Sequence, residues 1–190
     1  MSAVLEFPQR HAISAEEYLR MGEGGVFAPD ARLELIEGEI VEMAPIGSPH
    51  AGMVNILNSL LTRAAGELAV VAVQNPVIVG DRSVPQPDLA LLKPRADSYT
   101  RSHPTTADVL LVVEVADTTL SFDLGTKIPL YARGGIAEAW VVDVQERAVR
   151  VFRDPSASGY RTSFTVSGGR SVTALLLPAI VVALPALFPG

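Results

Sequence analysis

Cysteine is absent from all 190 residues. Its absence excludes disulfides, thiolate metal sites and a cysteine nucleophile, and leaves only oxygen or imidazole for any metal. Positive charge is also scarce, with 15 Lys+Arg against 21 Asp+Glu and a net charge of −6. Such a chain has little long-range attraction for polyphosphate, which counts against a high-affinity nucleic-acid binder. It does not exclude a nuclease, because acidic metal ligands add negative charge that bound cations offset. No GxGxxG, P-loop, HExxH or GxSxG pattern occurs, so the common nucleotide-binding, zinc-protease and α/β-hydrolase readings fall away. The opening residues MSAVLEFPQRHAIS lack a basic segment followed by an apolar stretch of signal-peptide length, and the expected location is cytoplasmic. The apolar stretch TALLLPAIVVALPALF is interrupted by Pro178 and Pro185 and followed by no basic anchor. It is expected to be strand and loop packed on a core, with no membrane contact.

What is present can bury a substantial core. The composition is 48% apolar, and the length suits one domain over residues 1–190 with no linker or repeat. Ser14 with Glu17 three residues later is a capping box, predicting a short helix over about residues 15–21. RLELIEGEIVEM alternates apolar and charged residues around Glu37-Gly38, a pair suited to a tight turn, and predicts a β-hairpin. Ser48 as a cap and Pro49 in the first turn open a long helix to about Glu67, with Met53, Leu57, Leu60, Leu61 and Leu68 at helical spacing. The rest is β-rich: AVVAVQNPVIVG, PDLALL, VLLVVEVAD, AWVVDV, AVRVFR and YRTSFTV. Between VLLVVEVAD and AWVVDV, Thr126 is expected to cap a short helix holding Lys127, Ile128 and Pro129, stopped by Gly134-Gly135. Strand, helix and strand in that span make a crossover with parallel or mixed pairing.

Two carboxylates stand out. Asp88 opens the apolar strand LALL and Glu114 interrupts LLVVEV, where burial is costly unless the group is paired, protonated or metal-bound. Together they suit a hard cation such as Mg²⁺ or Mn²⁺. Taken singly, each also reads as a strand-end or arginine-paired group. Lys127 at a helix start opposes the helix dipole, so something else should hold it; judged alone, it reads as a solvated surface lysine. Beside two metal-binding carboxylates it could orient a water or stabilise phosphoryl charge. Glu34 and Glu37 read as solvated hairpin residues, His50 as a helix-cap residue or a paired one, and His11 and His103 as surface residues. Lys93, Arg95, Arg101 and Arg133 lie in segments near the proposed site, though a solvated face accounts for them equally.

In order, LELIEGEIVEM, SPHAG, QPDLALL, DVLLVVEVADTTLSFDLGTK and PLYARGGIAEAWVVDV resemble the Uma-type restriction endonucleases of the PD-(D/E)XK nuclease superfamily, over about residues 14–187. The resemblance implies a restriction-endonuclease-like α/β fold, with a central mixed sheet flanked by helices. Asp88 matches the Asp of the PD element and Glu114 the acidic residue of the second element. The superfamily's usual lysine position falls on Ala116, and the family's lysine on the following helix matches Lys127. Glu34 matches an amino-terminal glutamate that often joins the metal site, and His50 a histidine common in the family. The implied activity is endonucleolytic hydrolysis of DNA, with Mg²⁺ or Mn²⁺ held by Asp88, Glu114 and a strand carbonyl near Val115. The alternatives are a silent nuclease-like scaffold that binds DNA or a partner, and carboxylate-based glycoside hydrolysis. The apolar carboxyl-terminal region also suggests a homodimer.

Overall fold

A computed structural model describes residues 10–188. Most of the signal-peptide question, over residues 1–9, lies outside the described residues. Helix α1 (Ala15–Glu23) precedes a hairpin of β1 (Leu33–Ile36) and β2 (Glu39–Glu42), and then the long α2 (Ser48–Ala65). Six strands form the central sheet: β3 (Val70–Val73), β4 (Leu89–Leu92), β5 (Val109–Ala116), β6 (Glu138–Asp143), β7 (Ala148–Ser156) and β8 (Gly159–Ser167). They lie in sequential order, and every neighbouring pair is antiparallel except β5 and β6. The sheet is therefore mixed. The parallel pair is joined by a helical crossover made of α3 (Leu120–Phe122), a π-helical turn (Asp123–Lys127) and α4 (Ile128–Arg133). A second small hairpin, β9 (Ser171–Thr173) with β10 (Val181–Ala183), and α5 (Leu184–Leu187) complete the fold.

The local signals explain the elements. Ser14 and Glu17 form the expected reciprocal capping box at α1, and those two hydrogen bonds hold the Glu17 carboxyl down at about 2. The hairpin turn has φ 51° at Glu37 and 88° at Gly38, the paired positive angles of a type I′ turn. A Cβ at Gly38 would also stand 2.8 Å from the Ala12 side chain, so only glycine fits there. At α2 the cap is Gly47 in place of Ser48, and no side chain caps that end.

The sheet is covered on both faces. The period of two along β5 sends Leu111, Val113 and Val115 towards Met53, Leu57 and Leu61 of α2. It sends Val112 and Ala116 towards Ile128 and Tyr131 on the crossover, and Glu114 falls on this second face with them. The carboxyl-terminal segment packs as expected, with Ile180, Val182, Leu184 and Leu187 all buried. No helix among the described residues is long and apolar enough to cross a membrane.

Candidate active site

The register of β4 against β5 pairs Leu89 with Val113 and Ala90 with Val112. Continued by one residue, it sets Asp88 beside Glu114 on the face covered by the crossover. Two like charges at neighbouring positions repel, so further groups must hold them. Asp88 receives three donors: His50 Nε2 lies 2.9 Å and Gln74 Nε2 3.2 Å from Oδ1, and the Val115 N–H lies 2.9 Å from Oδ2. Burial pushes Asp88 up, but the His50 ring, the Val115 N–H and Lys127 outweigh it, and its carboxyl falls below the usual aspartate value. The same pairing with Asp88 raises His50.

The π-helical turn places the lysine. Pro129 has no N–H to give the carbonyl of Gly125, and the helix widens by one residue just before it, with Ile128 N–H reaching back to the Asp123 carbonyl. Thr126 therefore caps nothing; it lies inside a continuous helical stretch over residues 120–133. This corrects the expected short helix with Lys127 in its first turn. Lys127 is also no surface residue, being 3% exposed. Its Nζ donates to Glu34 Oε1 at 3.1 Å and to Glu114 Oε2 at 3.3 Å. One turn on, the buried Tyr131 hydroxyl donates to Glu114 Oε1, as expected of side chains four apart on one helix face.

Glu34 is the second correction. It is buried, not solvated, because the hairpin docks onto the segment before β4. Val84 N–H donates to the Leu35 carbonyl at 2.7 Å, Gly38 N–H to the Arg82 carbonyl at 2.7 Å and Glu37 N–H to Ser83 Oγ at 2.9 Å. Glu34 Oε2 is a buried side-chain oxygen with no hydrogen-bond partner. Glu34, His50, Asp88, Glu114 and Lys127 all line one cavity of about 200 Å³.

The charge in this cavity is unbalanced. Burial lowers Lys127, but Glu114, Glu34 and Asp123 together outweigh that and hold its ammonium above the ordinary lysine value. The surplus negative charge falls on the acids: burial drives Glu114 well above the usual glutamate range and raises Glu34, with Lys127 offsetting part of each. Asp123, which accepts from Thr119 Oγ1 at 2.7 Å, is pushed by burial up to about 6. Asp123 and Tyr131 were not singled out in the sequence, since an acid and an aromatic in a short helix read as ordinary.

Asp123 has a measurable consequence. Its folded-state value lies above the unfolded one, so the folded chain binds more protons between about pH 4 and 6, and this group's contribution to stability falls as pH rises through that window. Asp123→Asn is expected to flatten the pH dependence of the urea midpoint between pH 4 and 6. An unchanged slope would show that Asp123 is not the group titrating there.

Other predicted groups lie elsewhere. Arg133 pairs with the exposed Glu37 at 2.5 Å, and Arg95 pairs with Asp97 at 2.5 Å and stacks over Tyr99. Lys93, Arg101 and His103 are exposed and do not line the cavity.

A family model described as putative restriction endonuclease, Uma2, matches residues 15–185. The chain belongs to the Uma2 family. Among solved structures it is similar to a putative nuclease belonging to DUF820 from Anabaena variabilis ATCC 29413, at 18% identity and a TM-score of 0.67. That match covers 93% of this chain and 97% of the other; at this identity it shows a shared fold. Comparison with curated proteins gives no match.

Among the described residues no group of three or more His, Asp or Glu side chains is arranged to hold a metal. Two carboxylates are nevertheless sufficient for Mg²⁺, which keeps several waters and takes the rest of its shell from substrate phosphate. The orphaned Glu34 oxygen and the excess of buried carboxylates over ammonium fit a hard divalent cation.

Proposed function

We propose that this Uma2 family member is a divalent-cation-dependent nuclease that hydrolyses phosphodiester bonds of DNA, with Mg²⁺ or Mn²⁺ as its cation. One observation carries the reading: the carboxylates of Glu34, Asp88 and Glu114 converge on a small cavity with the single ammonium of Lys127. A buried excess of acid is costly for a protein that has no use for it. Glu34 of the hairpin, His50 of α2, Asp88 just before β4, Glu114 of β5 and Lys127 of the crossover, all matched to the family's motifs, line this cavity.

A bound cation would supply an acidified water and neutralise charge on the phosphoryl oxygens. The chain's own residues would do the rest. Asp88, fixed by His50, Gln74 and the Val115 N–H, presents a carboxylate whose orientation is set before substrate arrives. Lys127 remains an ammonium through its carboxylate partners, so it can stabilise developing phosphate charge or orient the attacking water, and cannot serve as a base. The cavity is small, which suits a single phosphate group and excludes much of the bulk solvent.

Purified protein incubated with supercoiled, linear and single-stranded DNA and with Mg²⁺ or Mn²⁺ tests the reading. Cleavage is expected for wild type, with a loss of about 100-fold or more for Asp88→Asn and Lys127→Met, in the range seen when transition-state electrostatics are removed. Failure both to cleave these substrates and to bind the cation would favour the scaffold reading, which the net charge of −6 also suits.

A further inference from the structure

We propose that Arg32 is a phosphate-binding residue at the mouth of the cavity, gripping the backbone of a DNA strand as a phosphodiester group enters. This inference rests on the nuclease reading above and adds to it a substrate contact that lies just outside the motif segment LELIEGEIVEM.

The hairpin aims the residue. The Met43 N–H donates to the Arg32 carbonyl at 2.8 Å, so the ladder of β1 and β2 runs one pair beyond Leu33 and Glu42. Strand side chains alternate between faces, and Arg32 therefore projects to the same face as Glu34, about 7 Å along the strand from it. Both residues line the cavity, yet Glu34 is buried and Arg32 is exposed. The acid lies in the floor and the guanidinium at the opening. Its charge is felt across that opening: His50, raised chiefly by its bond to Asp88, is held back in part by Arg32.

Arg32 differs from the other ordered arginines in what it touches. Arg95, Arg133, Arg150 and Arg153 each pair with a carboxylate. Arg32 stands at a cavity lined by Glu34, Asp88, Glu114 and Asp123, yet among the described residues the partner of its guanidinium is the neutral carbonyl of Ala44. That bond orients the planar fork and leaves most of its N–H donors open. A guanidinium held in this way matches two oxygens of a phosphate. An arginine placed to offset the buried acids would point into the floor, as Lys127 does.

The rest of the rim also suits an anion. Helix α2 begins on this mouth at Gly47, with no side-chain cap and no acid in its first turn. Its open N–H groups carry partial positive charge. The opening is thus positive above an acidic floor, and the buried Glu34 Oε2, which lacks a close hydrogen-bond partner, marks that floor as a place for a ligand. A phosphodiester at the mouth would meet the guanidinium while a cation among the carboxylates offsets the remaining charge. Attraction confined to one opening also explains how a chain of net charge −6 holds a polyanion.

Fluorescence anisotropy of a short labelled DNA duplex, with Ca²⁺ in place of Mg²⁺ so that binding is read without cleavage, tests the assignment. Arg32→Gln keeps a donor for the Ala44 carbonyl and removes the charge. It is expected to weaken binding about five- to tenfold and to reduce the slope of log affinity against log salt by about 1. Arg32→Lys retains a charge without the fork, and should keep the slope with a loss of less than about threefold. Arg95→Gln removes an equal charge away from the cavity and should leave affinity within about twofold. Mn²⁺ affinity of Arg32→Gln should also stay within about twofold, which separates a substrate contact from a cation ligand. Thermal melts establish that each variant is folded. Duplex binding by Arg32→Gln equal to wild type, with an unchanged slope, would overturn the assignment and make Arg32 a tie between the hairpin and the loop before α2. Equal weakening in Arg95→Gln would overturn it too, since net charge alone would then govern binding, as would wild type that binds no duplex. Binding that depends on Arg32 with no cutting in Mg²⁺ or Mn²⁺ would leave the phosphate contact standing and remove the nuclease reading. Cutting by wild type with an unchanged KM in Arg32→Gln would do the reverse.

Discussion

Lys127→Met is expected to lower the unfolding free energy by about 3–5 kcal/mol at neutral pH, the cost of leaving a buried charge without its partner. The ammonium lies 3.1 Å from Glu34 and 3.3 Å from Glu114, and all three side chains are almost wholly enclosed. Methionine fills most of the volume but offers no charge, so two carboxylates would face each other in a medium that solvates neither. They can escape only by taking up protons. The destabilisation should therefore shrink as pH falls towards 5, because the carboxyls are already raised by burial and become neutral early. At about 2–4 °C per kcal/mol for a chain of this size, the melting temperature should fall by roughly 6–20 °C at pH 7. Adding Glu34→Gln to the lysine variant should recover part of the loss, since it removes one of the two stranded charges. A drop below about 1 kcal/mol, equal at pH 5 and pH 7, would mean that solvent reaches this cluster and the ion pairs count as surface pairs.

Glu138→Ala should be comparably costly to folding and leave cation binding alone. Glu138 is fully buried at the start of β6 and is satisfied on every side. Trp140 Nε1 donates to it at 2.9 Å, Arg153 Nε at 2.8 Å and the Leu175 N–H at 2.6 Å. It thereby ties β6 and β7 to the segment after β9. Removing it would leave a buried indole N–H, a guanidinium and a backbone N–H without acceptors, a loss of about 3–5 kcal/mol. Mn²⁺ affinity per folded molecule should stay within about twofold, because no atom of this cluster lines the cavity and independent sites add. The two variants together distinguish a buried acid that supports the sheet from buried acids that face a ligand. If Glu138→Ala weakened Mn²⁺ binding tenfold, the two clusters would be coupled through β6 and would not be independent.

The contrast between these clusters also shows what distinguishes a site from a core ion pair. Glu138 has more donors than Glu34 and none of its neighbours is left over, whereas the cavity cluster has more carboxylates than cations and one buried oxygen without a close hydrogen-bond partner. Burial alone would have ranked the two alike.

Much of the fold was written locally. The capping box at Ser14, the Glu37-Gly38 turn and the helical spacing of Met53, Leu57 and Leu61 each act within a few residues, and the elements form where those signals lie. Asp88 and Glu114 were also visible, because a carboxylate in an apolar strand stands against its surroundings. Lys127 and Glu34 were not visible in that way. A lysine near a proline in a short helix and a glutamate in an alternating hairpin are both ordinary surface patterns, and only resemblance to a family drew attention to them.

The sequence by itself determined the strand period, the turn chemistry, the lack of any sulfur ligand and the two acids that burial would have to accommodate. Only the tertiary structure decided that Glu34 is enclosed, that a π-helical turn carries Lys127 between Glu34 and Glu114, and that Tyr131 takes the remaining oxygen of Glu114. The physical reason is distance along the chain. Lys127 and Glu34 are separated by 93 residues, so their pairing depends on the docking of the hairpin and the crossover onto one face of the sheet, and no local preference encodes it.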